Sequence, residues 1–306
     1  MDIKGLNYLV TLPLEELIRE ANRVRRECLG DRIELCGIVN AKSGACSEDC
    51  KFCAQSSRHL ADINSYPLIT PEEIYQEAVR AKMNGAMRLG IVTSGNSLTA
   101  EEIGILAEAI RKIGKDIDID LCASLGALEK GSFQVLKDAG LSRYHHNIET
   151  SGRHYPEIVS THDHEERINT IKTAKSMGFE VCSGGIIGMG ETWQDRIDMA
   201  VTLKELDVDS VPLNMLVPIE GTPLGKIETI SPADAIRTIA IFRLILRDKT
   251  IKVAAGRESV LQDHQDMIYA AGANGMMIGG YLTIAGRAVS EDLALVEEVR
   301  NTWKNE

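Results

Sequence analysis

The run Met87-Arg88-Leu89-Gly90-Ile91-Val92-Thr93-Ser94, the segment from Glu101 to Ile113 and the run Asp116-Ile117-Asp118-Ile119-Asp120-Leu121-Cys122-Ala123-Ser124 decide the fold. The outer two are short and β-rich, and the middle one has a helical pattern. Strand, helix, strand in that order signals a βαβ unit of a parallel sheet. The alternation repeats on both sides of this unit. Candidate strands are 32–40, 87–94, 116–124, 141–150, 179–187, 210–217, 250–255 and 274–278. Helical patterns lie between them at 71–84, 101–113, 164–177, 192–206 and 231–246. Thr70-Pro71-Glu72-Glu73 and Ser231-Pro232-Ala233-Asp234 read as helix starts: a capping hydroxyl, proline at the first position, then an acid. Eight strands with intervening helices predict an α/β fold, a single (β/α)8 TIM barrel. The whole chain, 1–306, reads as one domain: a helical lead-in at 1–31, with a helix at 14–29, the barrel at 32–290 and a C-terminal helix at 291–306. No linker, low-complexity stretch or internal sequence repeat interrupts it.

Strand parity adds chemistry. In a barrel, alternate residues face the helices and the interior. Ile117, Ile119 and Leu121 alternate with Asp118, Asp120 and Cys122, so the apolar set meets the helices and Cys122 points inward. By the same argument Cys36 on strand one (Glu34 and Cys36 against Ile33 and Leu35) and Cys182 on strand five point inward. Arg88, Gly90, Asn147, Glu149, Asn214 and Lys252 share that parity. A lone inward cysteine is ordinarily a small buried hydrophobe. Three of them beside inward polar groups predict a metal-sized pocket.

The chain has 306 residues, with 34 Lys+Arg against 45 Asp+Glu and a formal net charge of −11. Its composition, 44% hydrophobic and 26% charged, is globular and excludes disorder, collagen and coiled coil. No apolar run approaches the ~18 residues of a membrane span. The start, Met1-Asp2-Ile3-Lys4, leads into no signal-peptide pattern. An acidic chain without a basic run is a poor nucleic-acid binder. These features predict a cytoplasmic protein with a small-molecule partner, no nucleic acid and no membrane.

Seven cysteines without an export signal favour metal binding or catalysis over disulfides. Cys46, Cys50 and Cys53 lie within Gly44-Ala45-Cys46-Ser47-Glu48-Asp49-Cys50-Lys51-Phe52-Cys53, directly after strand one and so at the catalytic face of a barrel. A structural zinc site wants four ligands, and the nearest fourth candidate is His59. A cubane iron–sulfur cluster on three cysteines keeps one iron open for a small molecule. Cys28, in the leading helix, reads as structural, and His162 and His164 as solvated histidines.

The Cys46–Cys53 loop, with Phe52 before its third cysteine, is similar to the signature of radical S-adenosylmethionine (SAM) enzymes. Longer runs resemble the biotin synthase family: Gly44 to Ser56, His146-Asn147-Ile148-Glu149-Thr150-Ser151, Val181 to Thr192, Val211-Pro212-Leu213-Asn214-Met215-Leu216-Val217 and Ala255-Gly256-Arg257-Glu258. The resemblance spans about residues 33–285. It implies a [4Fe–4S] cluster on Cys46, Cys50 and Cys53, which binds SAM and cleaves it to a 5′-deoxyadenosyl radical. That radical takes hydrogen from dethiobiotin, and a second, auxiliary iron–sulfur cluster donates the sulfur that closes the biotin ring. It further implies SAM contacts from Phe52, Asn147, Glu149, Arg167, Ile186 and Val217. Asn147 and Asn214 would lie close to dethiobiotin. A homodimer and a flavodoxin- or ferredoxin-type electron donor are expected. Arg167 suits a clamp on the SAM carboxylate, although by itself it would read as a solvated helix charge. Gly184-Gly185 suggests close backbone approach to a ligand.

The sequence departs from the family at the sulfur-donor cluster, which uses three cysteines and an arginine. Cys122 and Cys182 remain, but Gly90 and Lys252 stand at the other two positions. Cys36 is an additional inward cysteine. The expectation is a relocated auxiliary cluster on Cys36, Cys122 and Cys182, a cubane with an extra sulfide rather than [2Fe–2S], tuned by Lys252. Two alternatives stand beside it. One is a radical SAM maturase of the [FeFe]-hydrogenase type, and the other a non-catalytic iron–sulfur carrier or sensor.

Overall fold

The computed structural model describes residues 3–282 and 286–304. Its strand segments are β1 (Glu34–Lys42), β2 (Arg88–Thr93), β3 (Asp120–Ser124), β4 (Arg143–His145), β5 (Glu180–Cys182), β6 (Gly185–Ile187), β7 (Ser210–Met215), β8 (Thr250–Val253) and β9 (Gly275–Met277). All pair in parallel in the order β5-β4-β3-β2-β1-β9-β8-β7-β6, and a β5–β7 pairing closes the ring. β5 and β6 share the fifth position, so the nine segments make eight barrel strands, the TIM barrel that the alternation predicts. The helices of nine residues or more are α1 (Leu14–Leu29), α2 (Pro71–Met83), α3 (Ala100–Asp116), α4 (Lys130–Asp138), α5 (His164–Ser176), α6 (Trp193–Glu205), α7 (Pro232–Leu246) and α8 (Val289–Lys304). The expectation of a lead-in from residue 1 and a last helix to residue 306 falls, at residues 1–2 and 305–306, outside the described residues.

Local chemistry explains the element boundaries. Thr70, Thr99 and Thr192 each accept a backbone N–H three residues on, and Glu73, Glu102 and Asp195 return the bond, so α2, α3 and α6 start on capping boxes. Ser231 caps α7 before Pro232. The expected third strand loses its first residue to α3, which runs to Asp116, and residues 117–119 are unpaired in the sheet. Pairing begins only at Asp120, whose register partner is Arg88 at the start of β2. The expected fifth strand is broken at Ser183-Gly184. Pro212 on β7 has no N–H to give the ladder. A Cβ on Gly184 would lie 1.9 Å from the Pro212 carbonyl oxygen, so only glycine allows this approach. On Gly185 a Cβ would meet the Glu149 carbonyl at 2.2 Å. The glycine pair therefore allows close contact with the backbone of Pro212 and Glu149.

The apolar parity holds. Ile33, Leu35, Leu89, Ile91, Leu121, Val181, Val211, Leu213, Ile251 and Val253 are buried in the core. α1 packs chiefly on α7. Its Arg25 guanidinium lies 3.5 Å from the centre of the Trp303 ring, tying the lead-in to α8. Among the described residues no helix is long and apolar enough to cross a membrane.

Candidate functional site

One cavity of about 400 Å³ occupies the barrel interior, and every residue expected to hold a cluster or to touch SAM or dethiobiotin lines it. Its roof is the loop after β1. Asp49 pins that loop to the segment before α5, accepting from Ser160 N at 2.9 Å, from Thr161 N at 3.2 Å and from both hydroxyls. Glu48 Oε2 is 2.8 Å from His162 Nδ1. Lys51 N donates to the Ile158 carbonyl, and Leu224 N to that of Lys51. Beneath, Cys50 packs with Tyr155, Ile158, Val159, Met189 and Leu216, with Phe52 and Ile186 against them. Burial pushes the Cys53 thiol up to about 11 and raises Cys50 further.

Two expectations fail here. His162 is not solvated: its side chain is 3% exposed and held by Glu48. His164 is also engaged, with Nε2 3.2 Å from the Thr150 carbonyl. The zinc alternative loses its fourth ligand, because His59 Nε2 sits 3.1 Å from the Cys50 carbonyl oxygen. Among the described residues no group of His, Cys, Asp and Glu converges on a single metal ion.

The waist is polar. β4 ends at His145, short of the expected residue 150, because the chain turns to bring Asn147 and Glu149 to the cavity. Glu149 has φ 65°, the left-handed region that costs a non-glycine residue energy and clusters at functional sites. Gly184 N donates to Asn147 Oδ1 at 3.0 Å, and Asn147 Nδ2 to Glu149 Oε2 at 3.3 Å. Asn214 accepts from Ala255 N at 3.1 Å and donates to the Gly185 carbonyl at 3.3 Å. Val217 lines the wall beyond β7. Arg167, 12% exposed, is no solvated helix charge. Its Nε donates to Tyr155 Oη at 2.8 Å, its Nη1 to the Asn147 carbonyl at 2.9 Å, and its Nη2 is 3.8 Å from Glu149. Burial, then the Arg167 charge, holds His146 well below the usual histidine range, so this imidazole is neutral.

The floor is ionic. Cys36, Cys122 and Cys182 are buried free thiols facing the cavity from β1, β3 and β5. Burial raises Cys36, and it pushes Cys122 up to about 12. Burial also opposes ionisation of Cys182, but Lys252, His145 and Arg143 together outweigh it and draw that thiol down to about 6. Lys252 Nζ lies 3.1 Å from Cys36 Sγ and 2.8 Å from Glu34 Oε1. Arg143 Nη1 donates to the same Glu34 oxygen at 2.8 Å, and its Nε to Glu180 at 2.9 Å. Arg88 reaches Asp120 at 3.0 Å and Glu180 at 3.3 Å. At Gly90 a Cβ would meet Ile38 Cγ2 at 3.3 Å, so this side of the cavity is tight for a larger residue. Sequence reasoning placed Glu34 inward by parity but missed its partners, and it missed Arg143, His145 and Tyr155 as cavity groups or their partners. For Arg143 and His145 the signal was the parity that marks Cys36 and Asn147.

The radical SAM superfamily profile matches residues 41–203, and that of the biotin and thiamin synthesis associated domain matches residues 212–299. A biotin synthase of Thermotoga petrophila is 47% identical over 300 residues, covering 98% of this chain and 99% of that protein. The chain belongs to the biotin synthase family. A biotin synthase of Citrifermentans bemidjiense is 46% identical over 93% of this chain and 87% of its own length. Among solved structures, a methylornithine synthase superposes with a TM-score of 0.84 at 21% identity, over 97% of this chain and 92% of its own. An [FeFe]-hydrogenase maturase from Carboxydothermus hydrogenoformans gives 0.84 at 17% identity, over 97% and 74%. At those identities the likeness shows the fold alone, so the maturase alternative keeps only a shared barrel. Biotin synthase membership implies a [4Fe–4S] cluster and SAM. The roof fits them: three free thiols on one clamped loop, no fourth protein ligand beside them among the described residues, and buried polar groups below.

Proposed function

We propose that this chain converts dethiobiotin to biotin by radical sulfur insertion, with sulfur delivered from an auxiliary iron–sulfur site on Cys36, Cys122 and Cys182. The observation that carries this reading is two separate triplets of free thiols, at the roof and floor of one barrel cavity, with a polar waist between them. When bound, the roof cluster with SAM supplies a carbon radical, and the floor cluster supplies sulfur.

Cys46, Cys50 and Cys53 hold the roof cluster and leave one iron without a protein ligand. Phe52, Ile186 and Val217 give SAM apolar walls, and Glu149 and Asn147 take its polar groups. Arg167, its guanidinium already fixed by Tyr155 and the Asn147 carbonyl, would take the SAM carboxylate. The Asn147 and Asn214 amides, each locked by backbone partners, offer dethiobiotin a pre-set polar edge. The barrel wall keeps water from the reacting carbon. At the floor, three thiols suit a cubane with one free iron better than a [2Fe–2S] cluster, which normally takes four ligands. Lys252 donates to the Cys36 sulfur from outside that ligand set. The family likeness carries with it a cytoplasmic homodimer and a flavodoxin- or ferredoxin-type electron donor.

The test is anaerobic reconstitution with iron analysis, Mössbauer spectroscopy and turnover of dethiobiotin with SAM and a reductant. The expected result is about eight irons per chain, as two cubanes require, falling to about four in Cys36→Ala. Biotin should form only in the unaltered protein. About four irons, unchanged in Cys36→Ala, overturns the floor site, and SAM cleavage without biotin overturns the reaction.

A further inference from the structure

Glu34 has no part in the chemistry described so far, yet it is the hub of the floor. It stands two residues before Cys36 on the inward face of β1 and is 2% exposed. Its Oε1 takes two cations, Lys252 Nζ and Arg143 Nη1, each at 2.8 Å. Cys36 Sγ lies 3.5 Å from the same oxygen and 3.1 Å from Lys252 Nζ. Carboxylate, ammonium and thiol therefore close a triangle whose corners come from β1 and β8. Strand register supports this: Glu34 and Lys252 are both level with Gly275 on β9. A Cβ on Gly275 would lie 2.5 Å from Lys252 Cγ, so the bare glycine leaves the lysine stem its path along the floor.

A lysine ammonium sits on a flexible four-carbon stem with rotatable donors and has no orientation of its own. Something must aim it. Beside three thiols and with Arg143 close by, an untethered ammonium would be pushed away from the arginine. The Glu34 oxygen shared by both cations removes that repulsion and fixes where the ammonium stands.

We propose that Glu34 is a positioning residue of the auxiliary sulfur site: it anchors the Lys252 ammonium against the Cys36 sulfur, on the side facing the N-terminal mouth of the barrel. This rests on the reading that Cys36, Cys122 and Cys182 hold an iron–sulfur cluster. Hydrogen bonds to ligand sulfur are among the features that set a cluster's reduction potential. A cation held at that sulfur favours the more negative, reduced state.

The experiment uses the full chain, reconstituted anaerobically, with the roof cluster as internal control. Iron content, electron paramagnetic resonance and the midpoint potential of each centre are read. Lys252→Met should shift the auxiliary potential downward and leave the roof cluster unmoved. Glu34→Asp keeps the charge but shortens the reach by one methylene, and should give a smaller downward shift. In the Lys252→Met background it should add nothing, because a residue acting through Lys252 cannot act without it. If Glu34→Asp does not fold, Glu34→Met with Arg143→Met removes the carboxylate together with one of its two cations and leaves Lys252 without its anchor. That double variant should reproduce the Lys252→Met shift. An auxiliary potential unmoved in Lys252→Met, or a Glu34→Asp shift undiminished in its background, overturns the inference while about eight irons per chain keep the sulfur site standing. About four irons in the unaltered chain overturns the sulfur site, and this inference with it.

Discussion

Arg167 shows how much a single side chain carries. Three of its nitrogens are committed to Tyr155, the Asn147 carbonyl and Glu149. A lysine has the charge but not the planar fork, so the substitution is not conservative. Arg167→Lys should raise the Kd for SAM about tenfold, the equivalent of ~1.4 kcal/mol. Equilibrium dialysis against reconstituted protein measures it, and an unchanged Kd removes Arg167 from the SAM pocket. Alternation alone marked Cys36, Cys122 and Cys182 as inward, and each lines the cavity. His162 was illegible for a different reason. Its neighbours in sequence are polar, and only the return of the chain to Glu48, 114 residues away, buries it.

At the scale of elements, α6 depends on its first turn. Asp195 accepts from Thr192 N at 2.8 Å and from Ser151 Oγ at 2.6 Å, and it pairs with Arg153. Burial opposes its ionisation, but the Ser151 and Thr192 hydrogen bonds hold its carboxyl below the ordinary aspartate range. A folded-state pKa below the unfolded value of about 3.9 contributes stability that is complete at neutral pH. It is lost as pH falls below about 4. Asp195→Asn should cost about 1.5–3 kcal/mol at pH 7, the worth of hydrogen bonds to a charged group. It should also flatten the acid limb of stability. Urea unfolding at several pH values reads both effects, and a parallel acid limb in the variant counts against the assignment. Gly184→Ala tests the break in the fifth strand. A methyl 1.9 Å from the Pro212 carbonyl forces the two strands apart, at about 3 kcal/mol or more. The midpoint of thermal unfolding should drop accordingly. Helix starts were legible because capping is local chemistry. The start of strand three and the end of strand four were not, because a strand lasts only as far as its neighbour has a partner to offer.

For the whole molecule, the closed parallel ring follows from the repeated strand–helix alternation, and the place of the cysteine loop follows from the rule that barrel sites sit beyond the strand C-termini. The floor was less legible. Parity puts Glu34 and Arg88 inside one by one, but which charges meet depends on the stagger between strands, and sequence does not carry it. Ligand linkage gives a test at this scale. SAM at a hundredfold excess over its Kd should add about 2.7 kcal/mol to the unfolding free energy of reconstituted protein. Apoprotein freed of iron by chelation should gain much less. Equal gains in both forms would mean that SAM binds without the roof cluster.

Barrels commonly stopper their lower end with Val, Ile and Leu. Here that end is shut by Glu34, Arg143, Lys252 and Arg88. Dehydrating charged groups becomes less costly on heating, whereas apolar burial reaches a plateau. Swapping the Glu34–Arg143 couple for oily side chains should therefore hurt more in hot solution than in cool. An ionic stopper is a seal suited to warm water.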